Sequence, residues 1–192
     1  MDILFATNNP HKQEEAQAIL GPGFQVLTPA SKGLPGDLPE TCDSLRGNSI
    51  QKAAAVWNFF QQDCFADDTG LEIDALGGAP GVHTARYAGA DKDPAANRRK
   101  VLKELSGLPF EKRTARFRCV VTLILEDGTP RFFDGSCEGS IAAERHGGGG
   151  FGYDPVFVPD LYPDRTMAEL SEEAKNAISH RGVALRLMAD FL

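Results

Sequence analysis

Hydrophobic and polar positions follow strand and helix periods in turn along the first third of the chain. Short apolar runs at 2–7 and 24–29 predict buried strands, and a proline suited to the first turn predicts a helix over 10–20 between them. Apolar residues recur at helical spacing over 44–62, which predicts a second helix. Residues 30–43 are rich in glycine and proline and predict a loop.

The remainder of the chain mixes helical periods with longer strand-like runs. The segment 64–76 predicts a strand, a turn and a second strand, and 114–142 predicts two long strands joined at Asp127–Gly128. Further helices are predicted over 93–105 and 166–178, the latter opened by a capping box. Strands mixed with helices, with a hairpin among them, predict an α/β protein with a mixed sheet.

Apolar residues recur at helical spacing in two predicted helices. In the helix over 44–62 they are Ile50, Ala53, Ala54, Trp57 and Phe60, which supports the assignment of a helix. In a last helix, which Ser179 could cap, they are Val183, Leu187 and Met188, and these residues would face the core.

Composition and charge limit the class of protein. The chain has 192 residues, 42% of them apolar, which predicts one domain over 1–192 with an ordinary core. The net charge of −7 argues against a general nucleic-acid binder, because duplex affinity depends on Lys and Arg, but it allows a small anionic ligand held by a local cationic cluster or a metal.

No signal peptide is recognisable and no apolar run approaches the roughly 20 residues of a membrane span, so we expect a soluble, cytoplasmic protein without membrane contact. The four cysteines have no zinc or C-x-x-C spacing and are expected to be reduced thiols.

Glycines are concentrated in RHGGGGFGYDP, residues 145–155. Gly147, Gly149 and Gly152 satisfy G-x-G-x-x-G, but a dinucleotide-binding loop must open a helix, and here Asp154 precedes a proline that disfavours helical backbone. An NAD-binding role is therefore disfavoured. The alternatives are a flexible loop and a segment whose glycines let the backbone approach a ligand while neighbouring aromatic rings offer their faces.

The segment FATNNPHK, residues 5–12, is a candidate anion site. The N-terminus of a helix offers unpaired N–H groups and a partial positive charge to a phosphate. Thr7, Asn8 and Asn9 add hydroxyl and amide donors, and Lys12 lies in the first turn. Capping of the helix by Asn9 explains much of the same pattern.

Acidic residues supply candidate catalytic and metal-binding groups. Asp67 and Asp68 are predicted at the end of a strand, where adjacent carboxylates repel each other and Mg²⁺ is a common partner. A carboxylate there could accept a proton from an attacking water, whereas a simple turn would use the acids to cap backbone N–H groups. Glu40 is a second candidate ligand.

A second polar group lies near the C-terminus. Lys175 precedes Ser179, His180 and Arg181, which mark another helix start. The planar fork of arginine suits a phosphate or the edge of a base. An ordinary polar helix entrance fits the same residues.

Five motifs in order resemble the inosine/xanthosine triphosphate pyrophosphatase family. They are FATNNPHK, ETCDSLRGNSIQKA, ADDTGLEIDALGGAPGVHTARYAG, GGGFGYDPVF and AISHRG, and they cover nearly the whole chain. The resemblance implies hydrolysis of ITP, dITP and XTP, as small-molecule substrates, to the monophosphate and pyrophosphate with Mg²⁺. It also implies an elongated mixed sheet flanked by helices, two lobes with the site in a cleft between them, and a homodimer.

The resemblance further implies roles for individual residues. Asp68 would be the general base, Lys12 would take part in catalysis, and Glu40 with Asp68 would hold Mg²⁺. Phe151 is the candidate for stacking on the purine, and His180 and Arg181 are candidate donors to its 6-oxo group. The implied substrate-binding set is Thr7, Asn8, Asn9, Lys12, Lys52, Thr69, Phe151, Gly152, Tyr153, Asp154, Lys175, His180 and Arg181.

Gly47 departs from the family pattern, which usually has an acid just before the asparagine at this place. The metal site would then depend more on Glu40, Asp67 and Asp68, or on water. Gly47 should also lower helix propensity by about 1 kcal/mol relative to Ala.

Two rival functions are a related pyrophosphatase for modified pyrimidines and a nucleotide sensor without turnover. The sensor is supported only by Gly47, and the intact pair of acids argues against it.

Overall fold

Strands and helices alternate through the described part of the protein, residues 1–34 and 36–192 of a computed structural model. Pro35, inside the loop predicted over 30–43, lies outside the described residues. The strands are β1 (Asp2–Phe5), β2 (Gln25–Leu27), β3 (Cys64–Ile73), β4 (Pro80–Gly81), β5 (Thr114–Ile124), β6 (Pro130–Ile141) and β7 (Phe157–Pro159). The α-helices are α1 (Pro10–Leu20), α2 (Leu45–Phe60), α3 (Pro94–Glu104), α4 (Glu172–Ile178) and α5 (His180–Phe191).

The strands form one mixed sheet in the order β2-β1-β3-β5-β6-β7, with β4 paired to β3. Strand β1 runs parallel to both of its neighbours, so Leu4 lies opposite Leu27 on one side and Cys64 on the other. The pairs β3–β4 and β6–β7 are antiparallel. The predicted α/β class with a mixed sheet is confirmed.

The chain divides into two compact units. Unit 1 comprises Met1–Asp68, Cys119–Gly135 and His180–Leu192, and unit 2 comprises Thr69–Arg118 and Ser136–Ser179. Strands β3, β5 and β6 each contribute residues to both units. The single domain over 1–192 and the cleft between two lobes stay predictions.

Unit 1 has an apolar core on each face of its strands. Phe5 of β1 stacks on Phe65 of β3 with ring centroids 4.4 Å apart, on the face covered by α1 and α5. Leu4 faces the other way and packs with Ala53 and Val56 of α2. Successive strand side chains point to opposite faces, so helices cover both faces of these strands.

Unit 2 has its own core, centred on residues of β3, β5 and β7. Leu71 and Phe117 pack there with Phe157, and the two phenylalanine rings lie 4.6 Å apart. Val101 of α3 is fully buried in the same core.

Local signals predict the start of α1 and the hairpin correctly. Asn9 caps α1 by accepting a hydrogen bond from the His11 N–H at 3.0 Å, and the helix spans the predicted 10–20. Strands β5 and β6 are neighbours in the sheet, and the Gly128 N–H donates to the Leu125 carbonyl in the turn between them. Both predictions are confirmed.

The turn predicted within 64–76 is wrong. Strand β3 runs without interruption from Cys64 to Ile73, and Gly70 is buried within it. The residues Asp-Asp-Thr-Gly favour a turn locally. Pairing with β1 at one end of β3 and with β4 at the other overrides that preference.

The core-facing residues predicted for α5 are only partly right. Met188 is fully buried, but Leu187 is 48% exposed, and the buried side of α5 also carries Arg181, Ala184 and Leu185. In α2, Ala53 is buried and Ala54, Trp57 and Phe60 pack partly buried against the same core, while the other buried residues are Asn48, Ser49, Lys52 and Val56. The N-terminal half of α2 therefore buries polar groups, which indicates a polar site beneath it.

Two short helical turns differ from the predicted helices. The segment predicted over 166–178 contains a 3₁₀ turn at Met167–Glu169 followed by α4, and the predicted capping box of Thr166 with Glu169 is confirmed at the start of the 3₁₀ turn. Asp154–Val156 also forms a 3₁₀ turn, although no α-helix follows the glycines. The NAD-binding arrangement is therefore absent from the described residues around the glycine segment.

The cysteines are free thiols, as predicted. Cys64, Cys119 and Cys137 are buried, and Cys42 is partly exposed. Within the ranges that the structure describes, no helix has the length and apolar character needed to cross a membrane.

Candidate active site

Asp67 and Asp68 lie in the middle of β3 and point to opposite faces of the sheet. Side chains alternate along a strand, so Asp67 lies on the side of Phe65 and Asp68 on the side of Ala66. The residues are only 1% and 8% exposed, respectively. A buried charge requires partners, and the two faces supply different ones.

Asp67 is surrounded by cations from α1 and α5. Lys12 Nζ lies 2.8 Å from Oδ1, and Arg181 Nε donates to Oδ2 at 2.9 Å. Arg181 also pairs with Glu15 of α1. Burial alone would raise the pKa of Asp67, but Lys12, Arg181 and Lys52 outweigh burial and hold the pKa well below its ordinary value. Asp67 is therefore a permanent anion that holds two cations in place.

Asp68 meets α2 instead. Lys52 Nζ donates to Oδ1 at 3.2 Å and also to Glu40 Oε1 at 2.6 Å, while Asn48 Nδ2 donates to Oδ2 at 3.2 Å. Burial is the main reason why the pKa of Asp68 is raised; Glu40 adds to the effect, and Lys52 and Lys12 oppose it.

Lys52 is charged despite its burial. Burial would lower the pKa of Lys52, but the carboxylates of Asp68, Asp67 and Glu40 outweigh it, so the pKa is raised. Two adjacent carboxyl groups thus have pKa values displaced in opposite directions. That separation assigns different roles to the pair, and the raised pKa suits Asp68 to accept a proton.

The start of α1 is ordered by its own hydrogen bonds. Thr7 Oγ1 accepts from the Asn9 N–H at 3.1 Å, and Asn8 Nδ2 donates to the Gly36 carbonyl at 2.7 Å. Together with the cap at His11, these bonds confirm the capping interpretation of Asn9. Binding of an anion at this helix start stays a prediction.

Glu40 and Asp68 fit a magnesium ion by the chemistry of their donors. Both carboxylates reach the same ammonium nitrogen of Lys52, so they can share one cation. Mg²⁺ usually takes one or two protein carboxylates and completes its shell with phosphate oxygens and water. Among the described residues, no group of three or more His, Cys, Asp or Glu could hold a metal ion, so the protein alone offers a partial set of ligands.

In unit 2, Phe151, Asp154 and Lys175 form a compact group, here called the Phe151 cluster. Lys175 Nζ lies 4.7 Å from the centroid of the Phe151 ring and 2.8 Å from Asp154 Oδ2. The Phe151 N–H donates to the same carboxylate oxygen at 2.9 Å. Gly150 has φ of 67°, and a Cβ there would overlap the Asp154 carboxylate. Glycine is therefore required at this position for the close approach.

The neighbours of Phe151 have different roles. Tyr153 is buried in the core of unit 2, and its hydroxyl donates to the Thr84 carbonyl at 2.8 Å. Burial is the main cause of its raised pKa. The expectation that Tyr153 offers an aromatic face to a ligand is not met in this structure. Gly152 accepts a hydrogen bond from Arg98 Nη1 at 2.5 Å, which ties the segment to α3.

Comparison with known proteins places the chain in a family. The sequence profile of the Ham1 family matches residues 3–191. The chain belongs to the Ham1 family. It is 49% identical over 190 residues to the dITP/XTP pyrophosphatase of Porphyromonas gingivalis, covering 99% of this chain and 96% of that protein. It is 44% identical over 192 residues to the dITP/XTP pyrophosphatase of Flavobacterium johnsoniae, covering 100% and 98%.

A solved structure of a Ham1 protein supports the same assignment. The HAM1 protein from Coxiella burnetii is 38% identical and superposes with a TM-score of 0.88, covering 100% of this chain and 98% of that chain. The family predicted from the five motifs and the α/β class are confirmed together.

The structure brings many of the predicted residues of this Ham1 protein into ion pairs of unit 1 and a cluster of unit 2. In unit 1, Lys52 pairs with Glu40 and Asp68 on one face of β3, and Lys12 pairs with Asp67 on the other face. In unit 2 they form the Phe151 cluster. Each group joins residues far apart in sequence, which supports the choice of these residues as a site.

Other predicted residues are placed differently. Arg181 is 2% exposed, with its guanidinium bonded to acids, and His180 is buried where α5 begins. Thr69 is partly buried in β3. Their contacts with substrate stay predictions.

Three residues at the ion pairs of unit 1 and the cluster of unit 2 are missed by sequence reasoning: Asn48, Glu15 and Arg98. Asn48 precedes Lys52 by four residues, which places both on one face of α2, so helical spacing could have indicated it. Glu15 and Arg98 act through partners distant in sequence, and no local pattern points to them.

Proposed function

We propose that this protein hydrolyses dITP, ITP and XTP to the nucleoside monophosphate and pyrophosphate. One observation carries the chemistry: the adjacent buried carboxyl groups bond to different partners, Asp67 to Lys12 and Arg181 and Asp68 to Lys52 and Asn48, and their pKa values are shifted in opposite directions. The names of the two bacterial relatives, each a dITP/XTP pyrophosphatase, supply the substrate class.

Asp68 is the proposed general base. It accepts a proton from a water that attacks the α-phosphorus, and the bond from that phosphorus to the oxygen bridging to the β-phosphorus breaks. Pyrophosphate is the leaving group. Negative charge shifts among phosphate oxygens during this displacement, so the ammonium groups of Lys12 and Lys52 lower the barrier if they turn toward the substrate.

The charge balance of the ion pairs around Asp67 and Asp68 supports a requirement for Mg²⁺. In these ion pairs three cationic side chains stand against four carboxylates, so the groups together carry surplus negative charge. A polyanionic triphosphate would be repelled without further positive charge. Glu40 and Asp68 are the proposed ligands of Mg²⁺, which when bound would neutralise part of the phosphate charge. The groups counted are Lys12, Lys52 and Arg181 against Glu15, Glu40, Asp67 and Asp68.

Recognition of the purine is proposed for the Phe151 cluster and for α5. The Phe151 ring offers a surface for stacking, and Lys175 and Asp154 fix its backbone. His180 and Arg181 are the proposed donors to a 6-oxo group. Adenine presents an amino donor at that position and would leave such donors unpaired.

A pyrophosphate-release assay tests the proposal. We expect release from dITP, ITP and XTP well above that from ATP, GTP, dTTP and UTP, and we expect chelation of Mg²⁺ to abolish it. Asp68→Asn should bind nucleotide yet lose pyrophosphate release by at least about 10²-fold, because it removes the base. Asp127→Asn, at an exposed turn, is the matched control and should keep full activity.

The rival functions predict other outcomes. Faster cleavage of dTTP or UTP than of ITP would assign the protein to pyrimidines. Tight binding of ITP without any pyrophosphate would favour the sensor. Full activity of Asp68→Asn would reject Asp68 as the base. The homodimer, which rests on the resemblance, and the cytoplasmic location both stay predictions.

A further inference from the structure

Asn48 is a buried amide whose two ends have different partners. It is 2% exposed and lies on α2 one turn before Lys52. Its Nδ2 donates to Asp68 Oδ2 at 3.2 Å, and its Oδ1 accepts from the Cys42 N–H at 2.9 Å. Both polar ends of this side chain are therefore satisfied without exposure to solvent.

The Cys42 bond determines which way the amide faces. A backbone N–H can only donate, so the amide oxygen must point to Cys42 and the amino group must point to Asp68. A rotation of the amide by 180° would set donor against donor at Cys42. Asp68 thus always meets a hydrogen-bond donor on its Oδ2 side.

The two oxygens of Asp68 depend on partners of different character. Lys52 binds Oδ1, but it is a long, charged side chain that also binds Glu40. A polyanionic substrate would attract its ammonium group. Asn48 is short, neutral and held by Cys42, so an approaching phosphate has little effect on it. Asn48 is the partner that stays on Asp68 when substrate binds.

Gly47 allows the Cys42 segment to reach Asn48. A Cβ at position 47 would lie 2.6 Å from Cys42 Cβ and 2.9 Å from Ser44 Oγ, both too close for real contacts. Only glycine lets Cys42 pack against the first turn of α2. The glycine that departs from the family pattern is therefore part of the support for Asn48.

We infer that Asn48, held by the Cys42 N–H, is a positioning residue that fixes the orientation of the Asp68 carboxylate. This inference rests on the proposed function, in which Asp68 is the base. Asn48 itself touches neither the water nor the phosphate in this scheme.

The variant Asn48→Asp tests the inference with little change in shape. Aspartate keeps an oxygen for the Cys42 N–H but turns a second oxygen toward Asp68. We expect kcat for dITP at pH 7 to fall at least about tenfold, because repulsion between the two carboxylates displaces Asp68 from its orientation. KM should change less than about threefold, because Asn48 does not contact the substrate.

Ser49→Ala is the matched control. Ser49 is equally buried and adjacent on α2, and its hydroxyl bonds to the Ala66 carbonyl and to Thr122 rather than to Asp68. This variant should lower the thermal midpoint and leave kcat unchanged. Should Asn48→Asp not fold, Asn48→Ala removes the donor without adding charge and should also lower kcat with little change in KM.

The outcomes separate this inference from the proposed function. Unchanged kcat in the folded Asn48 variants, with Asp68→Asn inactive, overturns the role of Asn48 and leaves Asp68 as the base. Activity in Asp68→Asn overturns the base, and the inference with it. A lower kcat at nearly unchanged KM in the Asn48 variants, absent from Ser49→Ala, supports the inference.

Discussion

Asp67 and Asp68 are neighbours in sequence, but their surroundings give them different properties. Asp67 is bonded to Lys12 and Arg181, and Asp68 to Lys52 and Asn48. The extended backbone of β3 causes the separation, because it directs consecutive side chains to opposite faces. One carboxyl group thereby compensates charge within the protein, and the other is the one proposed as the base.

Asp67→Asn should destabilise the protein strongly at neutral pH. The change removes the buried carboxylate that Lys12 and Arg181 share, although Arg181 keeps its pair with Glu15, and removal of one member of a buried ion pair costs about 3–5 kcal/mol. The free energy of unfolding from urea titrations measures the loss. The exposed Asp127→Asn variant should lose at most about 0.5 kcal/mol.

The loss of unfolding free energy in Asp67→Asn should depend on pH, and the sign of that dependence follows from the pKa of Asp67. The native pKa of Asp67 is lowered from 3.8, so its stabilising contribution is present above that value and is lost as pH falls toward the native pKa. The difference in unfolding free energy between wild type and Asp67→Asn should therefore be largest near pH 7 and shrink below about pH 4. A difference that grows on acidification would contradict the assignment.

At the scale of elements, α2 combines a polar end with an apolar end. Its first turns bury Asn48, Ser49 and Lys52 near the carboxylates, and its later turns bury Ala53 and Val56 in an apolar core. A hydrophobic period alone predicts an apolar face that packs against the core, whereas α2 also places hydrogen-bond donors beside Asp68. Asn48 and Lys52 therefore belong to the candidate site, Ser49 bonds to β3 and β5, and the apolar residues anchor the helix.

Gly47→Ala should destabilise α2 despite the higher helix propensity of alanine. Propensity favours alanine by about 1 kcal/mol, but overpacking typically costs about 1–3 kcal/mol. The added Cβ would lie 2.6 Å from Cys42 Cβ, so we expect the overpacking cost to be the larger effect. Urea unfolding of Gly47→Ala should show a lower midpoint than wild type. Ala55→Gly in the same helix calibrates the propensity term, and a Gly47→Ala protein more stable than wild type would refute the packing argument.

At the scale of the whole molecule, two units with separate cores share three strands. Strands β3, β5 and β6 pass from one unit to the other, so unfolding of either unit removes the support for strand residues of both. We therefore expect the two units to unfold together.

Cysteine labelling reports this cooperativity. Cys42 is partly exposed and should react first with a thiol reagent in the native protein. Burial is the main cause that raises the pKa of Cys64 in unit 1, and that of Cys137 in unit 2, to about 12, so both should stay protected until the protein opens. Mass spectrometry of each thiol in mild denaturant should give equal rates for these two. Much faster labelling of Cys137 would show that unit 2 opens alone.

Much of the fold and site is predictable where interactions are local or where a residue type is unusual. Asn9 and Pro10 predict the start of α1 because a cap bonds within the next two residues. Local sequence does not predict the place of Tyr153. An aromatic residue beside glycines suggests a ligand surface, but the Tyr153 ring packs in the core of unit 2. Packing of that kind depends on elements distant in sequence.

The sequence by itself determined the family, the α/β class, most helix starts and most members of the candidate site, because motifs, caps and periodic patterns depend on residues close together in the chain. Only the tertiary structure decided that β3 continues through Asp67 and Asp68, that the two acids face different cations, and that Asn48 holds Asp68. The side-chain contacts rest on hydrogen bonds between residues 16 to 114 positions apart, as in Lys52–Asp68 and Asp67–Arg181. The partners in such bonds are selected by the packing of strands and helices, which local preferences do not specify.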